Sequence, residues 1–239
     1  MKHQDLFKLL GRNAYPGRGI LLGRAENGDA ALAYFIMGRS ENSRNRIFTE
    51  TSDGIITEAA NPAKLQDPSL ILYVPVRKTG PYTIVTNGDQ TDTIYDALQS
   101  GGSFEDALHS RTFEPDAPNY TPRISGLLVE NEGGFSYRLS ILKSGGGNPS
   151  VPVRYFFDYS HPLSGLGHLI HTYSGDGTPL PSFVGEPVSV QIQGGIDAFA
   201  TGLWNALNAE NKISLFVHFV SSAGHQTRLF NKYSKEVQP

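Results

Sequence analysis

Three segments of the chain bring together side chains able to hold an anion or move a proton. The first is Gly38-Arg39-Ser40-Glu41-Asn42-Ser43-Arg44-Asn45-Arg46, with three arginines in eight residues. A guanidinium is a planar fork that matches phosphate or carboxylate. In extended chain Arg44 and Arg46 would share one face, with Asn45 on the other. The same run also reads as a solvated loop whose arginines pair with surface acids. The second is Thr86-Asn87-Gly88-Asp89-Gln90-Thr91-Asp92, where a strand gives way to a helix. Backbone N–H groups there favour anions, and Asn87 can orient an amide; the plainer reading is an Asn-Gly turn with Thr91 or Asp92 capping the helix. The third is Glu114-Pro115-Asp116-Ala117-Pro118-Asn119-Tyr120-Thr121-Pro122-Arg123, two carboxylates, a phenol and a guanidinium stiffened by three prolines. Such a loop presents acid–base groups, or is a connector whose polar groups satisfy one another.

These segments need elements to position them. Residues 4–10 suit a turn or two of helix ending near Gly11. Residues 19–25 and 30–37 read as strands joined at Asn27-Gly28, a strong hairpin signal. Further strands are expected at 46–50, 54–58, 70–76 and 82–86. The period then changes: 92–100 reads as a helix with Thr91 as its N-cap, and Ser103 caps a second short one. Strand character returns at 124–130, 135–142, 153–159, 167–173 and 187–192. Residues 145–149 are the loosest stretch, suited to a long loop. Ile196, Phe199, Ala200, Leu203, Trp204 and Leu207 make one apolar stripe on a helix over 196–208, which assigns Trp204 to the core. A nearly continuous apolar strand is expected at 213–220, and the polar last ten residues are expected to fray. About a dozen strands in hairpin runs, with helices grouped together, predict an α+β chain with mostly antiparallel sheets, not a βαβ repeat.

Composition narrows the chemistry. The 239 residues carry 20 Lys+Arg against 23 Asp+Glu, a net charge of −3. That excludes a strongly basic nucleic-acid binder and a polybasic membrane anchor, but not a small anion held by a few local arginines. With no cysteine there is no disulfide frame, thiolate metal site or catalytic thiol. No stretch has the length and apolarity of a membrane span. The N-terminal run is too mixed for a signal peptide. A cytoplasmic protein is the expectation, and the Asn119-Tyr120-Thr121 sequon is then accidental. Gly17, Gly19 and Gly23 are one residue too widely spaced for a dinucleotide fingerprint and precede a strand. There is no phosphate-loop lysine motif and no nucleophile elbow. His168 and His171 fall on opposite faces of an apparent strand, so no metal site is expected.

Taken in order, Gly17-Arg18-Gly19 with Leu22-Gly23-Arg24, then Arg39-Ser40 with Asn45-Arg46, then Asn87-Gly88 with Thr91-Asp92, then Thr121-Pro122-Arg123-Ile124 resemble the archaeal-type IMP cyclohydrolase family over residues 17–130. His171-Thr172-Tyr173 and Pro179-Leu180-Pro181-Ser182-Phe183 resemble a marker of a bacterial branch. Residues 1–16 read as an N-terminal extension and 17–239 as one domain. The resemblance implies a four-layer αββα sandwich similar to that of N-terminal nucleophile hydrolases, without their nucleophile. It implies closure of 5-formamidoimidazole-4-carboxamide ribotide to inosine monophosphate (IMP) with loss of water. The ligand would be a purine ribotide; no nucleic acid, membrane, metal or organic cofactor is called for, and a homo-oligomer is expected. Substrate contacts would come from Arg18, Arg39, Ser40, Arg44, Asn45, Arg46, Asn87, Asp92 and Thr121. Tyr73, Glu114 and Asp116 become candidates for proton handling, and Arg123, with Asn87, for orienting or stabilising oxygen. Competing readings are an amide hydrolase on the same sandwich and a nucleotide-binding module without catalysis.

Overall fold

The computed structural model describes residues 3–65, 68 and 72–235. Within them, thirteen strands form two antiparallel sheets. The six-stranded sheet contains β1 (Arg18–Arg24), β2 (Ala30–Met37), β10 (Leu166–His171), β11 (Val188–Gln191), β12 (Lys212–Ser221) and β13 (Gly224–Asn231), in the order β11-β10-β1-β2-β12-β13. The seven-stranded sheet runs in chain order through β3 (Ile47–Glu50), β4 (Gly54–Glu58), β5 (Val76–Thr79), β6 (Tyr82–Thr86), β7 (Arg123–Asn131), β8 (Gly134–Gly145) and β9 (Asn148–Tyr159). Helices α1 (Leu6–Gly11), α2 (Glu41–Arg44), α3 (Gln90–Gln99), α4 (Phe104–His109) and α5 (Ile196–Ala206) complete an α+β chain.

The period-2 alternation of strands sorts their side chains to two faces. On β1 and β2, Ile20, Leu22, Leu32, Tyr34 and Ile36 join Phe48, Ile55, Val85, Ile124, Leu128, Leu139 and Ile141 of the other sheet in one apolar cluster. The alternate residues, Leu21, Ala31, Ala33 and Phe35, pack instead with Leu6 and Leu10 of α1 and Ile196, Phe199, Ala200 and Leu203 of α5. Ile84, Leu127 and Leu142 meet Ile94 of α3 and Phe104, Ala107 and Leu108 of α4. Strands β1 and β2 are therefore buried on both faces. The residues read as an N-terminal extension sit within this packing: Leu6 and Leu10 are each 2% exposed. No helix among the described residues is long and apolar enough to cross a membrane.

Several elements differ from expectation, each for a local reason. Residues 70 and 71 of the strand read at 70–76 lie outside the described residues; 72–75 are not strand, and pairing begins at Val76. Pro75 has no N–H to offer a ladder, and its carbonyl accepts from Thr86 N at 2.8 Å. Helix α3 begins at Gln90 after Asp89, because the Thr91 hydroxyl turns inward to Thr86 Oγ1 at 2.7 Å rather than capping. The stretch at 145–149 is a tight reversal between β8 and β9, with Gly146 at φ 61° and Gly147 at φ 79°. Such paired positive φ values match the twist of a hairpin. Strand β13, absent from the sequence reading, has mixed polarity because it is a sheet edge. Trp204 is only partly buried, stacked on Phe230 at 5.7 Å at the margin of its cluster.

Gly126 lets the sheets close on one another. A Cβ there would lie 2.9 Å from Leu22 and Val85 side-chain carbons and 3.2 Å from Ile20. Gly126→Val is expected to destabilise the fold by about 1–3 kcal/mol through overpacking. Urea unfolding should show a lower midpoint at unchanged slope; an unmoved midpoint would contradict this packing.

Candidate active site

The site forms where β1 begins, β2 ends and the proline-rich loop enters β7. Gly17, at φ 78°, makes the approach to β1 possible: a Cβ there would lie 2.2 Å from Thr172 Oγ1 and 2.6 Å from the Tyr173 ring. Arg18 follows, its N–H donating to Thr172 Oγ1 at 3.2 Å and its carbonyl accepting from Thr172 N at 2.9 Å. After β2, Ser40 and Ser43 cap each other's backbone, at 3.0 and 3.1 Å, and wind 41–44 into one helical turn. That turn separates two arginines read as sharing a face. Arg44 turns back to Gly38 O at 3.1 Å and Asn211 Oδ1 at 3.4 Å. Arg46 goes inward, is 1% exposed, and donates to Ser43 O at 2.8 Å and Met37 O at 3.2 Å.

The proline-rich loop closes the opposite wall. Asp116 accepts from Thr121 N at 2.6 Å and from the Thr121 hydroxyl, and Glu114 N donates to Thr121 O at 2.9 Å. The Thr121 hydroxyl also meets the Tyr173 hydroxyl at 2.5 Å. Asn87 pins the loop to β7, donating to Pro122 O at 2.9 Å and accepting from Ile124 N at 2.9 Å. A cavity of about 280 Å³ lies between these walls, lined by Arg18, Arg39, Ser40, Arg46, Glu114, Asp116 and Thr121, with Tyr15, Asn42, Ser43, Asn119, Tyr173 and Leu180.

The cavity is electrostatically incomplete. Arg18 Nε and Arg46 Nη1 are buried without a hydrogen-bond partner among the described residues. Arg39, by contrast, is paired with Asp176 and lies over the Tyr15 ring at 5.0 Å. Burial disfavours the Arg18 charge, but Glu114 and the phenols of Tyr173, Tyr73 and Tyr15 outweigh it and raise its pKa. Burial, then the Arg18 charge, holds Arg46 below its ordinary value. Glu114 is 8% exposed, and burial lifts its carboxyl above the usual range against the opposing pull of Arg18 and Arg123. Burial also pushes the Tyr173 phenol up to about 12, against the pull of Arg18 and its Thr121 hydrogen bond.

Seven residues singled out in the sequence thus meet in one cavity: Arg18, Arg39, Ser40, Arg46, Glu114, Asp116 and Thr121. Tyr73 lies beside it, lining a neighbouring cavity of about 580 Å³; its hydroxyl is 2.8 Å from that of Tyr34, and both arginines feel its charge. Arg123 donates to Asp89 at 2.6 Å and Gln90 at 2.8 Å while acting on Glu114 through its charge. Tyr73 and Arg123 thus do not line the cavity, and neither do four others. Arg44 is the clamp just described, and Asn87 is 1% exposed with its amide engaged by backbone. Asn45 binds Asn61 backbone at 2.7 and 2.8 Å, and Asp92 is an exposed partner of Arg77 at 3.1 Å. Tyr15 and Tyr173 were not read as site residues, yet their rings stack 5.9 Å apart on the cavity wall. The signal was present: Tyr15 precedes the Pro16-Gly17 turn, and Tyr173 and Leu180 lie in the stretches singled out as a branch marker. His168 and His171 stay apart, one bonded to Tyr137 Oη at 2.6 Å and the other to Tyr173 O at 2.8 Å. Among the described residues there is no group of three or more metal-ligating side chains.

Two guanidiniums with buried, unpartnered nitrogens beside a buried carboxyl are a donor set suited to a small anion. Comparison with known proteins makes this specific: the family model described as IMP cyclohydrolase-like protein matches residues 15–224, and the chain belongs to that family. The chain is 30% identical over 171 residues to a protein of Methanopyrus kandleri named IMP cyclohydrolase, covering 70% of this chain and 79% of the relative. Two relatives of the same name, from Methanococcus aeolicus and Methanothrix thermoacetophila, are 32% and 30% identical over 130 and 119 residues. Those matches cover 52% and 48% of this chain, and 62% and 57% of the relatives.

Because the Arg18 charge pulls the Glu114 pKa down, Arg18→Met is expected to push it up further. Carbon-13 NMR of the side-chain carboxyls, with Glu114→Gln for assignment, should place the Glu114 midpoint higher in the variant than in wild type. A midpoint that stays or falls would contradict the pairing. The raised pKa also fixes a sign for stability: folding favours the protonated carboxyl, so this group's contribution is present at low pH and is lost as pH rises through its folded-state pKa.

Proposed function

We propose that this chain is an IMP cyclohydrolase, closing 5-formamidoimidazole-4-carboxamide ribotide to IMP with loss of water. The observation that carries the reading is the arginine pair, Arg18 and Arg46, with buried nitrogens that have no partner among the described residues, lining one cavity with Glu114. Family membership supports it, as do the relatives that bear that name.

The reaction makes demands that these residues meet. The ribotide phosphate needs cationic donors, and three arginines line the cavity. The carboxamide nitrogen and formyl carbon must be held at close range, which a small cavity with rigid walls does. As the N–C bond forms, the nitrogen gives a proton to Glu114, the formyl π pair moves to oxygen, and Tyr73 protonates that oxygen. As the hydroxyl leaves, it takes the Glu114 proton and departs as water. The formamide nitrogen returns a proton to Tyr73, so both groups end as they began. A carboxyl lifted by burial is better matched to that exchange near neutrality than an ordinary glutamate. Arg18 and Arg123 stabilise charge around it, and Asp116 holds Thr121 and the loop in place.

The finer architecture belongs to the same reading. Helices α1 and α5 cover one sheet, α3 and α4 the other, and the sheets face each other; this supports a four-layer αββα sandwich like that of N-terminal nucleophile hydrolases. Self-association is also part of it, supported by the edge strand β9, where Val151 and Tyr155 are exposed.

The test is ultraviolet-monitored conversion of the ribotide by purified protein with chelator and without folate. Saturable formation of IMP is expected. Arg18→Met and Arg46→Met should each lower kcat/KM by about 10²–10³-fold, the scale for removing a charge-stabilising donor. A folded wild-type protein indistinguishable from buffer would overturn the reading.

A further inference from the structure

Tyr34 lies in the middle of β2, paired with Ile20 on one side and Phe216 on the other. It is fully buried, and its ring stacks on Phe48 at 5.5 Å and 22°. A phenol in the centre of an apolar cluster must place its proton. Among the described residues its hydroxyl has one partner, the Tyr73 hydroxyl at 2.8 Å. Each phenol has one proton to donate and lone pairs to accept. If Tyr73 were the donor, the Tyr34 proton would be buried with no acceptor, at the full desolvation cost of that group. Tyr34 therefore donates and Tyr73 accepts.

That direction has a consequence for Tyr73. Its backbone is fixed separately, with its N–H donating to Thr57 Oγ1 at 2.9 Å and its carbonyl accepting from Thr57 N at 2.9 Å and Thr57 Oγ1 at 3.0 Å. Its ring is only partly buried. With one lone pair taken by Tyr34, the Tyr73 proton points away from the apolar cluster. Arg18 and Arg46 both lie within electrostatic reach of its oxygen.

We propose that Tyr34 is a positioning residue: by donating to Tyr73 it turns the Tyr73 O–H out of the apolar cluster, and it stabilises the Tyr73 oxygen once that proton has gone. This rests on the assignment above of Tyr73 as the group that protonates the formyl oxygen. O–H forms on the substrate as the Tyr73 O–H breaks, and the charge left on Tyr73 meets the Tyr34 hydroxyl. Burial also holds the Tyr34 proton in place, raising its pKa well above that of a free phenol, so it stays a donor while Tyr73 changes state.

Tyr34→Phe keeps the ring and its stack on Phe48 and removes only the hydroxyl. In the full chain, 3-fluorotyrosine at position 73 reports the hydrogen bonding of its own oxygen through its fluorine-19 chemical shift. Tyr34→Phe is expected to move that resonance, because the Tyr73 oxygen loses its donor. In turnover, kcat should fall about tenfold at constant KM, the scale of one hydrogen bond to a charged oxygen. Adding Tyr34→Phe to Tyr73→Phe should cost nothing more, since both act through one proton. A position-73 resonance unmoved by Tyr34→Phe, or losses that multiply in the double variant, would overturn the proposal. A wild-type chain that leaves the ribotide unchanged while the resonance still moves would support the Tyr34–Tyr73 pairing and overturn the assigned reaction.

Discussion

Two positive charges, Arg18 at the start of β1 and Arg46 just beyond β2, line one cavity, and the cost of burying them together organises the site. Burial lowers the pKa of Arg46, and the Arg18 charge lowers it further. The protein compensates only in part. Backbone carbonyls of Met37 and Ser43 hold Arg46, the Glu114 charge sustains Arg18, and phenols surround both. Among the described residues, one nitrogen of each guanidinium remains unpartnered. A buried cation left short of acceptors is costly to the apo protein and is a ready site for an anion.

The rest of the structure holds that pair against its own repulsion. Arg18 opens β1, which is buried on both faces, and Arg46 follows a helical turn that the two serines wind immediately after β2. These strands are neighbours in register, with Arg18 opposite Ile36. A one-residue slip would turn every apolar side chain of β2 to the wrong cluster, so packing fixes the position of both charges. The loop carrying Glu114 and Asp116 is locked at its base by Asn87 and across its mouth by Thr121. Asn87 thus fixes the cavity wall through the backbone, without lining the cavity itself.

How much of this was legible in the sequence follows from the range of each interaction. Periodicity found the helix over 196–208, the doubly buried strand over 213–220 and the Asn27-Gly28 hairpin, because each is set by neighbouring residues. It missed β13, whose polar residues lie on a sheet edge and whose partner is set by a turn at Gly224. In the site, Arg39, Arg44 and Arg46 were visible as a cluster, but their separation depends on reciprocal capping by Ser40 and Ser43. Ser40 and Ser43 are plain in the sequence, but only the folded backbone shows that they cap each other. Tyr15 and Tyr173 lie 158 positions apart and meet only through the β1–β10 pairing; no local pattern encodes that contact. The Tyr34–Tyr73 pair is hidden for the same reason, since Tyr34 reads as one more apolar position of a strand.

The central claim, that the arginine pair is completed by the phosphate of a ribotide, is tested most directly by calorimetric titration of IMP and of inosine into the full chain and into Arg46→Met. Wild-type protein should bind IMP, with inosine and the variant each weaker by about 100-fold, the scale of a buried charge-assisted contact. Equal binding of inosine and IMP, or an Arg46→Met chain that binds IMP as wild type does, would contradict the account.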